Sequence, residues 1–310
     1  MNNELRSEKQ TEREPNIYNL PHSTAKFIRD ALSSLPEHFV FENERLDPEL
    51  VRQYREALLT IPIVADLREK MALDLESIRH ARGYIVIDGL VDKLDEADLT
   101  IPTAVASLAG HPFAMVDKLG LWQNLGVDLS AEKFRFQGIG QNPFHIDAVN
   151  TVRPPDYFVF QSYRTDPAGG GRSTLSNLQN MVDELTPSEV AYLSEPRFSE
   201  GHFYGMSGVG GELNPFPVLQ MQENGLWLVR YTGKILPGMA ESYDKDILNK
   251  IGSILERNQE VFLLESGQLL IANQHILAHG REPLGPHQEL IDPDRRRFIK
   301  QSYLREVDNF

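Results

Sequence analysis

A histidine and an aspartate stand two residues apart in the segment FHIDAV, at His145 and Asp147. On a β-strand, residues i and i+2 point to one face, so this imidazole and carboxylate would project side by side while Phe144 and Ile146 turn away. Such a pair makes two legs of a metal site. Further on, QLLIANQHILAHGREPLGPHQE carries His275, His279 and His287, and one of them can supply a third ligand. His287, amid GPHQE, reads better as a solvated loop residue. Two imidazoles and one carboxylate on one side of an octahedral ion leave adjacent positions open, the facial arrangement of non-heme Fe(II) oxygenases. A third group is the arginine cluster Arg295, Arg296 and Arg297 in DRRRFIKQSYL. A guanidinium grips a carboxylate through parallel N–H donors, which suits a clamp on the far end of a 2-oxo diacid. In a strand, Arg297, Ile299 and Gln301 share one face, and Arg296 and Phe298 the other. An arginine facing inward needs an anionic or carbonyl partner, because a buried unpaired charge is costly.

Groups so far apart in sequence need a rigid scaffold. Residues 1–20 are polar and read as a disordered tail. From Ser23 to Leu108 the pattern is mostly helical. DPELVRQYREALLTIP opens with Asp47 as cap and Pro48 in the first turn, and VADLREKMALDLESIRHARG reads as a helix ending at Gly83. GYIVIDGL reads as a buried strand, and LTIPTAVASLAGHP as a further helix. Beyond Lys133 short strands dominate: KFRFQGI, FHIDAV, PDYFVFQSYR, STLSNL, LWLVRYTG, VFLLES, QLLIANQ and RFIKQSYL. Two helices interrupt them, TPSEVAYLSE and one within Ala240–Asn258. Many short strands at close spacing predict a sandwich or barrel with helices outside. The expected fold is α+β, a single domain over 21–310, mainly helical over 21–110, with a jelly-roll core (a double-stranded β-helix) over 130–305.

Composition narrows the function classes. The 310 residues carry a formal net charge of −14, which disfavours nucleic acid and anionic membrane surfaces as partners. Cysteine is absent, which excludes disulfides, thiolate metal sites and cysteine nucleophiles. A reducing, cytoplasmic location is the expectation. No apolar run is long enough to span a bilayer. Gly201–Pro217 is rich in glycine and aromatics and lacks the Lys-Ser/Thr ending of a phosphate-binding loop.

Taken together, GYIVIDGL, PFHIDAVNTVRPPDYFVFQSYRTDPAGGGRSTLSNL, GLWLVRYTGKILPG, and LLIANQHILAHGRE followed by DRRRFIKQSYL resemble the Fe(II)/2-oxoglutarate-dependent oxygenases of the taurine dioxygenase and clavaminate synthase superfamily. The C-terminal pattern is also similar to glutarate hydroxylase. The resemblance implies a jelly-roll core, Fe(II) and 2-oxoglutarate as cofactors, and dioxygen as co-substrate. By position it implies His145, Asp147 and His279 as iron ligands and Arg297 as the clamp on 2-oxoglutarate, with Ser173 or Thr174 assisting. The chain departs from the pattern in three places. The interval from Asn273 to His279 is one residue longer than usual, which keeps His275 in play. The loop from His279 to Arg297 is also longer, which keeps Arg295 and Arg296 in play. Gln301 stands where many relatives have a second arginine.

For substrate, Arg230, Arg135 and Arg153 are candidates for a carboxylate, and Asp156 and Glu212 for an ammonium. The function expected is hydroxylation of an unactivated carbon in a small polar molecule, a free amino acid or related acid. The alternative is a cupin-like metal protein, an isomerase, hydrolase or sensor, that does not use 2-oxoglutarate.

Overall fold

A computed structural model describes residues 14–36, 41–42, 45–76, 82–90, 95–115, 120–132, 136–199, 206, 208–234 and 242–306. The strands are β1 Ile17–Asn19, β2 Phe41–Glu42, β3 Arg45–Leu46, β4 Tyr84–Asp88, β5 His111–Phe113, β6 Gln123–Gly126, β7 Asn142–His145 and β8 Tyr157–Arg164. They continue as β9 Ser173–Asn177, β10 Leu219–Met221, β11 Trp227–Val229, β12 Glu260–Phe262, β13 Leu269–Asn273, β14 Leu277–Arg281 and β15 Phe298–Arg305. The helices are α1 His22–Leu32, α2 Pro48–Leu59, α3 Pro62–Met71, α4 Thr100–Ala106, α5 Leu178–Asp183, α6 Pro187–Leu193 and α7 Ser242–Arg257.

Two sheets face each other. The larger runs β1-β4-β13-β8-β15-β5-β3-β2, with β6 also paired to β15; the smaller runs β12-β9-β14-β7. This is the expected jelly-roll core with helices outside it. Side-chain alternation explains why the larger sheet reads as nearly continuous apolar sequence. Ile85, Ile87, Tyr157, Val159, Leu269 and Ile271 point outward into a core shared with α1–α4. Their neighbours Tyr84, Val86, Phe158, Leu270 and Ala272 point inward, between the sheets. Both faces are covered, so both sets of positions are apolar. Helices α5–α7 cover the outer face of the smaller sheet through Leu178, Ile247, Leu248, Ile251, Ile254 and Leu255. Asp47 caps α2 by accepting from the Glu49 amide, and Thr186 and Glu189 form a capping box on α6.

Several boundaries differ from expectation. Residues 17–19 are not tail: β1 lies parallel to β4, and Leu20 is buried. The exposed, intermediate, exposed burial of this strand gave no apolar run to read. Residues 1–13 lie outside the described residues. The helix expected to reach Gly83 leaves α geometry at Met71 and continues as a π-turn over Ala72–Glu76. KFRFQGI is not a strand over its described part, where Phe136–Ile139 form turns. HGRE, which none of the expected strands covered, lies within β14 and its exit, since β14 pairs with both β9 and β7.

The turn between β8 and β9 is tied to the loop after β14 by one carboxylate. Asp166 accepts hydrogen bonds from the amides of Ala168, Gly170 and Gly285 and from Gln288 Nε2, at 2.6–3.2 Å. These donors, together outweighing the cost of burial, hold its pKa below the usual carboxylate range. Asp166→Ala leaves these donors without their acceptor and is expected to cost about 2 kcal/mol in chemical denaturation. Because the folded pKa is depressed, the stabilisation is present above the carboxylate's ordinary pKa and fades as pH falls through the folded one. The difference between wild type and variant should therefore shrink on acidification.

Candidate metal centre and its cavity

Strand β7 ends at His145, and Asp147 sits just beyond it in a turn, not on the strand as the two-residue spacing suggested. The two side chains still converge, because the chain past the strand stays pinned. The Ile146 amide donates to Tyr231 O at 3.0 Å, and the Asp147 amide donates to Gln274 Oε1 at 2.7 Å. His279 comes from β14, directly opposite His145 in the register. Between this pair and the next, Arg281 opposite Asn142, β7 uses three steps where β14 uses two, so β7 bulges at Pro143–Phe144.

One ligand atom from each of His145, Asp147 and His279 lies within 4.8 Å of the others. His145 Nε2 is 3.8 Å from Asp147 Oδ1, and His279 Nε2 is 3.5 Å from Asp147 Oδ2. His145 Nδ1 meets Pro143 O at 2.8 Å, a contact that puts the proton on Nδ1 and leaves the Nε2 lone pair facing Asp147. Gln301 Nε2 donates to Asp147 Oδ2 at 3.0 Å, and the Tyr303 hydroxyl donates to the same carboxylate.

Burial sets the protonation states. It holds His145 well below the usual imidazole range and His279 at about 3, with the positive charge of Lys234 adding in the same direction. Both rings are therefore neutral donors near pH 7. Burial pushes Asp147 up to about 6, opposed by Lys234 and by the hydrogen bonds from Gln301 and Tyr303. A carboxylate and two neutral imidazoles, buried and converging, are a donor set that a divalent cation completes. On donor chemistry the residues fit Fe(II).

The triad opens into a cavity of about 640 Å³. Arg297 lines it, one residue before β15, on the face shared by Gln301 and Tyr303. Burial and the neighbouring Arg281 lower its pKa to about 9, against an opposing pull from Asp166, so it remains a cation at neutral pH. Gly171, with φ of +72°, lets the β8–β9 turn lie on the arginine stem: a Cβ there would meet Leu284 Cδ2 at 2.8 Å and Arg297 Cδ at 3.1 Å. Ser173 lines the cavity. Thr174 does not; it lies opposite Gly280, where an added Cβ would come within 2.8 Å of its Oγ1.

The other sequence candidates lie elsewhere. His275 turns away, with Nε2 2.8 Å from Asp156 Oδ1. Both line a second cavity, with Arg153 and Glu306. Arg305 and the Glu306 amide also address Asp156, so this carboxylate ties down the C-terminal end of β15. Arg230 is 1% exposed and gives its N–H groups to Val149 O, Thr151 O and Val152 O. The assignments of Arg230 and Asp156 to substrate are thus corrected: each is committed inside the fold, because a buried charge takes the nearest complementary groups. Arg135 lies outside the described residues. Arg295 is exposed, Arg296 donates to Ile291 O, and His287 is exposed in a left-handed turn.

Some cavity residues escaped the sequence reading. Arg281 follows His279 by two on β14, so the two-residue period already placed it on the same face, and Tyr303 follows Gln301 in the same way. Arg281 Nη2 donates to Gly138 O and Gly140 O, holding the cavity wall beside Arg297. Lys234 had no such signal, since it follows β11 in a short turn.

The profile of the taurine catabolism dioxygenase TauD, TfdA family matches residues 49–300. No curated protein matches the sequence. Among solved structures, an asparagine oxygenase in complex with Fe(II), 2S,3S-3-hydroxyasparagine and succinate is similar at 20% identity and TM-score 0.71, covering 94% of each chain. The non-heme iron oxygenase OrfP with Fe and alpha-ketoglutaric acid is similar at 18% identity and TM-score 0.66, again over 94% of each chain. OrfP with Fe, succinate and (3R,4R)-dihydroxy-L-Arg gives 17% identity and TM-score 0.67 over 93% of each. These likenesses agree with the jelly-roll architecture, and the profile match spans most of the sequence: the chain belongs to the TauD/TfdA family of dioxygenases.

Proposed function

We propose that the chain is an Fe(II)- and 2-oxoglutarate-dependent hydroxylase of a small molecule, of the amino-acid type. The observation that carries this reading is the convergence of His145, Asp147 and His279 at one end of a cavity that also holds Arg297. An asparagine oxygenase and OrfP share the fold and bind hydroxylated amino acids, which supports the substrate class. The cupin-like alternative gains nothing from the cavity, because it assigns no work to Arg297.

His145, Asp147 and His279 would hold the iron. When bound, the metal supplies the oxidative chemistry in which dioxygen is consumed. The balance is one oxygen atom into a substrate C–H bond and one into succinate, with loss of CO2 from 2-oxoglutarate. The protein places the reactants. Arg297 holds the distal carboxylate of 2-oxoglutarate with Ser173 beside it, and Asp166 and Arg281 set the field around that guanidinium. Gln301 and Tyr303 fix the orientation of Asp147. Phe160, Leu125 and Met206 keep water from the walls.

Two tests follow. His279→Ala should abolish stoichiometric Fe(II) binding, read by metal analysis after gel filtration, and should remove the rise in melting temperature that Fe(II) gives the wild type. Arg297→Leu should retain the metal and weaken 2-oxoglutarate about a hundredfold, as expected for truncating one partner of a buried ion pair. Direct titration of 2-oxoglutarate reads this, and unchanged affinity would remove Arg297 from the clamp role.

A further inference from the structure

We propose that Asn142 belongs to the seat of 2-oxoglutarate, where its side-chain amide donates to the distal carboxylate that Arg297 and Ser173 also hold. This rests on the hydroxylase reading above and deepens it.

The backbone brings Asn142 to the site against the usual alternation. Residues three apart on a regular strand face opposite sides, so Asn142 would turn away from the cavity that His145 faces. The bulge at Pro143–Phe144 takes up the odd residue, and both side chains line the cavity. Arg281 on β14 stands opposite Asn142 of β7 on one side and opposite Ser173 of β9 on the other. Ser173, Arg281 and Asn142 therefore form one row across the smaller sheet, and all three line the cavity. The adjacent row holds His279 opposite His145. Two residues along β14 separate the rows, about 7 Å at the usual strand rise. That matches the distance from a metal held by those histidines, and chelated at the keto end of a five-carbon diacid, to the far carboxylate.

The chemistry of the row suits an anion. Arg297 approaches from the larger sheet, close enough that the charge of Arg281 lowers its pKa. Arg281 gives its Nη groups to Glu282 O, Gly138 O and Gly140 O, so it contributes field and not grip. Asn142 is placed differently. Its side chain is 8% exposed, and Oδ1 is buried without a hydrogen-bond donor among the described residues. A buried amide left uncommitted is costly in a folded chain, and native structures keep few of them. With nothing holding the oxygen, the amide is free to turn about χ2 and aim an N–H at a carboxylate. Ser173 and Asn142 stand two strand spacings apart, about 10 Å. A carboxylate gripped by a short hydroxyl on one side and a longer amide on the other spans that width, with Arg297 facing it from the opposite sheet.

The test titrates the full chain, loaded with Fe(II) and kept free of dioxygen, with two keto acids. One is 2-oxoglutarate; the other is 2-oxopentanoate, the same carbon chain without the distal carboxylate. Asn142→Leu should weaken 2-oxoglutarate about tenfold, as for loss of a hydrogen bond to a charged group, and leave 2-oxopentanoate within about twofold of the wild type. Fe(II) affinity, set in the neighbouring row, should not change. Asn142→Asp keeps the shape and adds a negative charge, so it should weaken 2-oxoglutarate further than Asn142→Leu does. Should Asn142→Leu fail to fold, Asn142→Asp decides on the same two ligands. Should 2-oxopentanoate bind too weakly to titrate, the order of the three 2-oxoglutarate affinities at unchanged Fe(II) affinity decides. The proposal is overturned if either variant binds 2-oxoglutarate as the wild type does, or if Fe(II) or 2-oxopentanoate weakens in step with it, the sign of a structural role alone. A wild type that holds Fe(II) and binds neither keto acid would instead sink the 2-oxoglutarate reading itself.

Discussion

The site depends on keeping two imidazoles uncharged beside a carboxylate in the space between two sheets. In water the two imidazoles would titrate near neutrality. Here burial suppresses protonation of His145 and His279 and raises Asp147. Two neutral imidazoles and a carboxylate, buried and converging, make a donor set suited to a divalent cation. The rest of the structure serves that arrangement: Pro143 fixes one tautomer, Gln301 and Tyr303 fix the carboxylate, and Phe158 and Phe160 pack against the His279 ring.

Irregular backbone beside the triad is the second requirement. Past β7 the chain crosses residues 148–156 before β8; Asn150 O accepts from the Leu213 amide beside the Thr151–Glu212 bridge, while carbonyls on either side of it lie off any ladder. Two buried arginines satisfy them. Arg230 takes Val149 O, Thr151 O and Val152 O; Arg305 takes Arg153 O and Pro154 O and reaches Gly208 O as well. Each guanidinium has five donors in a fixed plane, which suits several carbonyls converging from one loop. Removing either would leave buried acceptors unsatisfied close to Asp147.

Much of this was legible in the sequence. The jelly-roll class followed from the density of short strands, and caps at Asp47 and Thr186 located helix starts. Residue type, spacing and likeness to a family singled out the His-x-Asp pair, His279 and Arg297, which line one cavity. What was not legible has physical reasons. His145 and Asp147 share a side although the strand ends between them, because Tyr231 and Gln274, distant in sequence, hold the turn. Arg230 and Asp156 have the types a substrate would want, and only three-dimensional placement shows them paired internally. Lys234 lies in a turn with no periodicity, and its place at the cavity follows from the antiparallel bridge of Thr232 with His145.

The bulge in β7 has a consequence for how this barrel can vary. Its surplus residue sits beside Pro143, which has no amide proton to contribute to a ladder, and the freed geometry turns the Pro143 carbonyl toward the His145 ring. Deleting one residue from 142–144 would give neighbouring strands a smoother match, yet it would rotate the imidazole to the opposite surface. A shorter chain inside these three positions would therefore turn His145 away from Asp147 and His279.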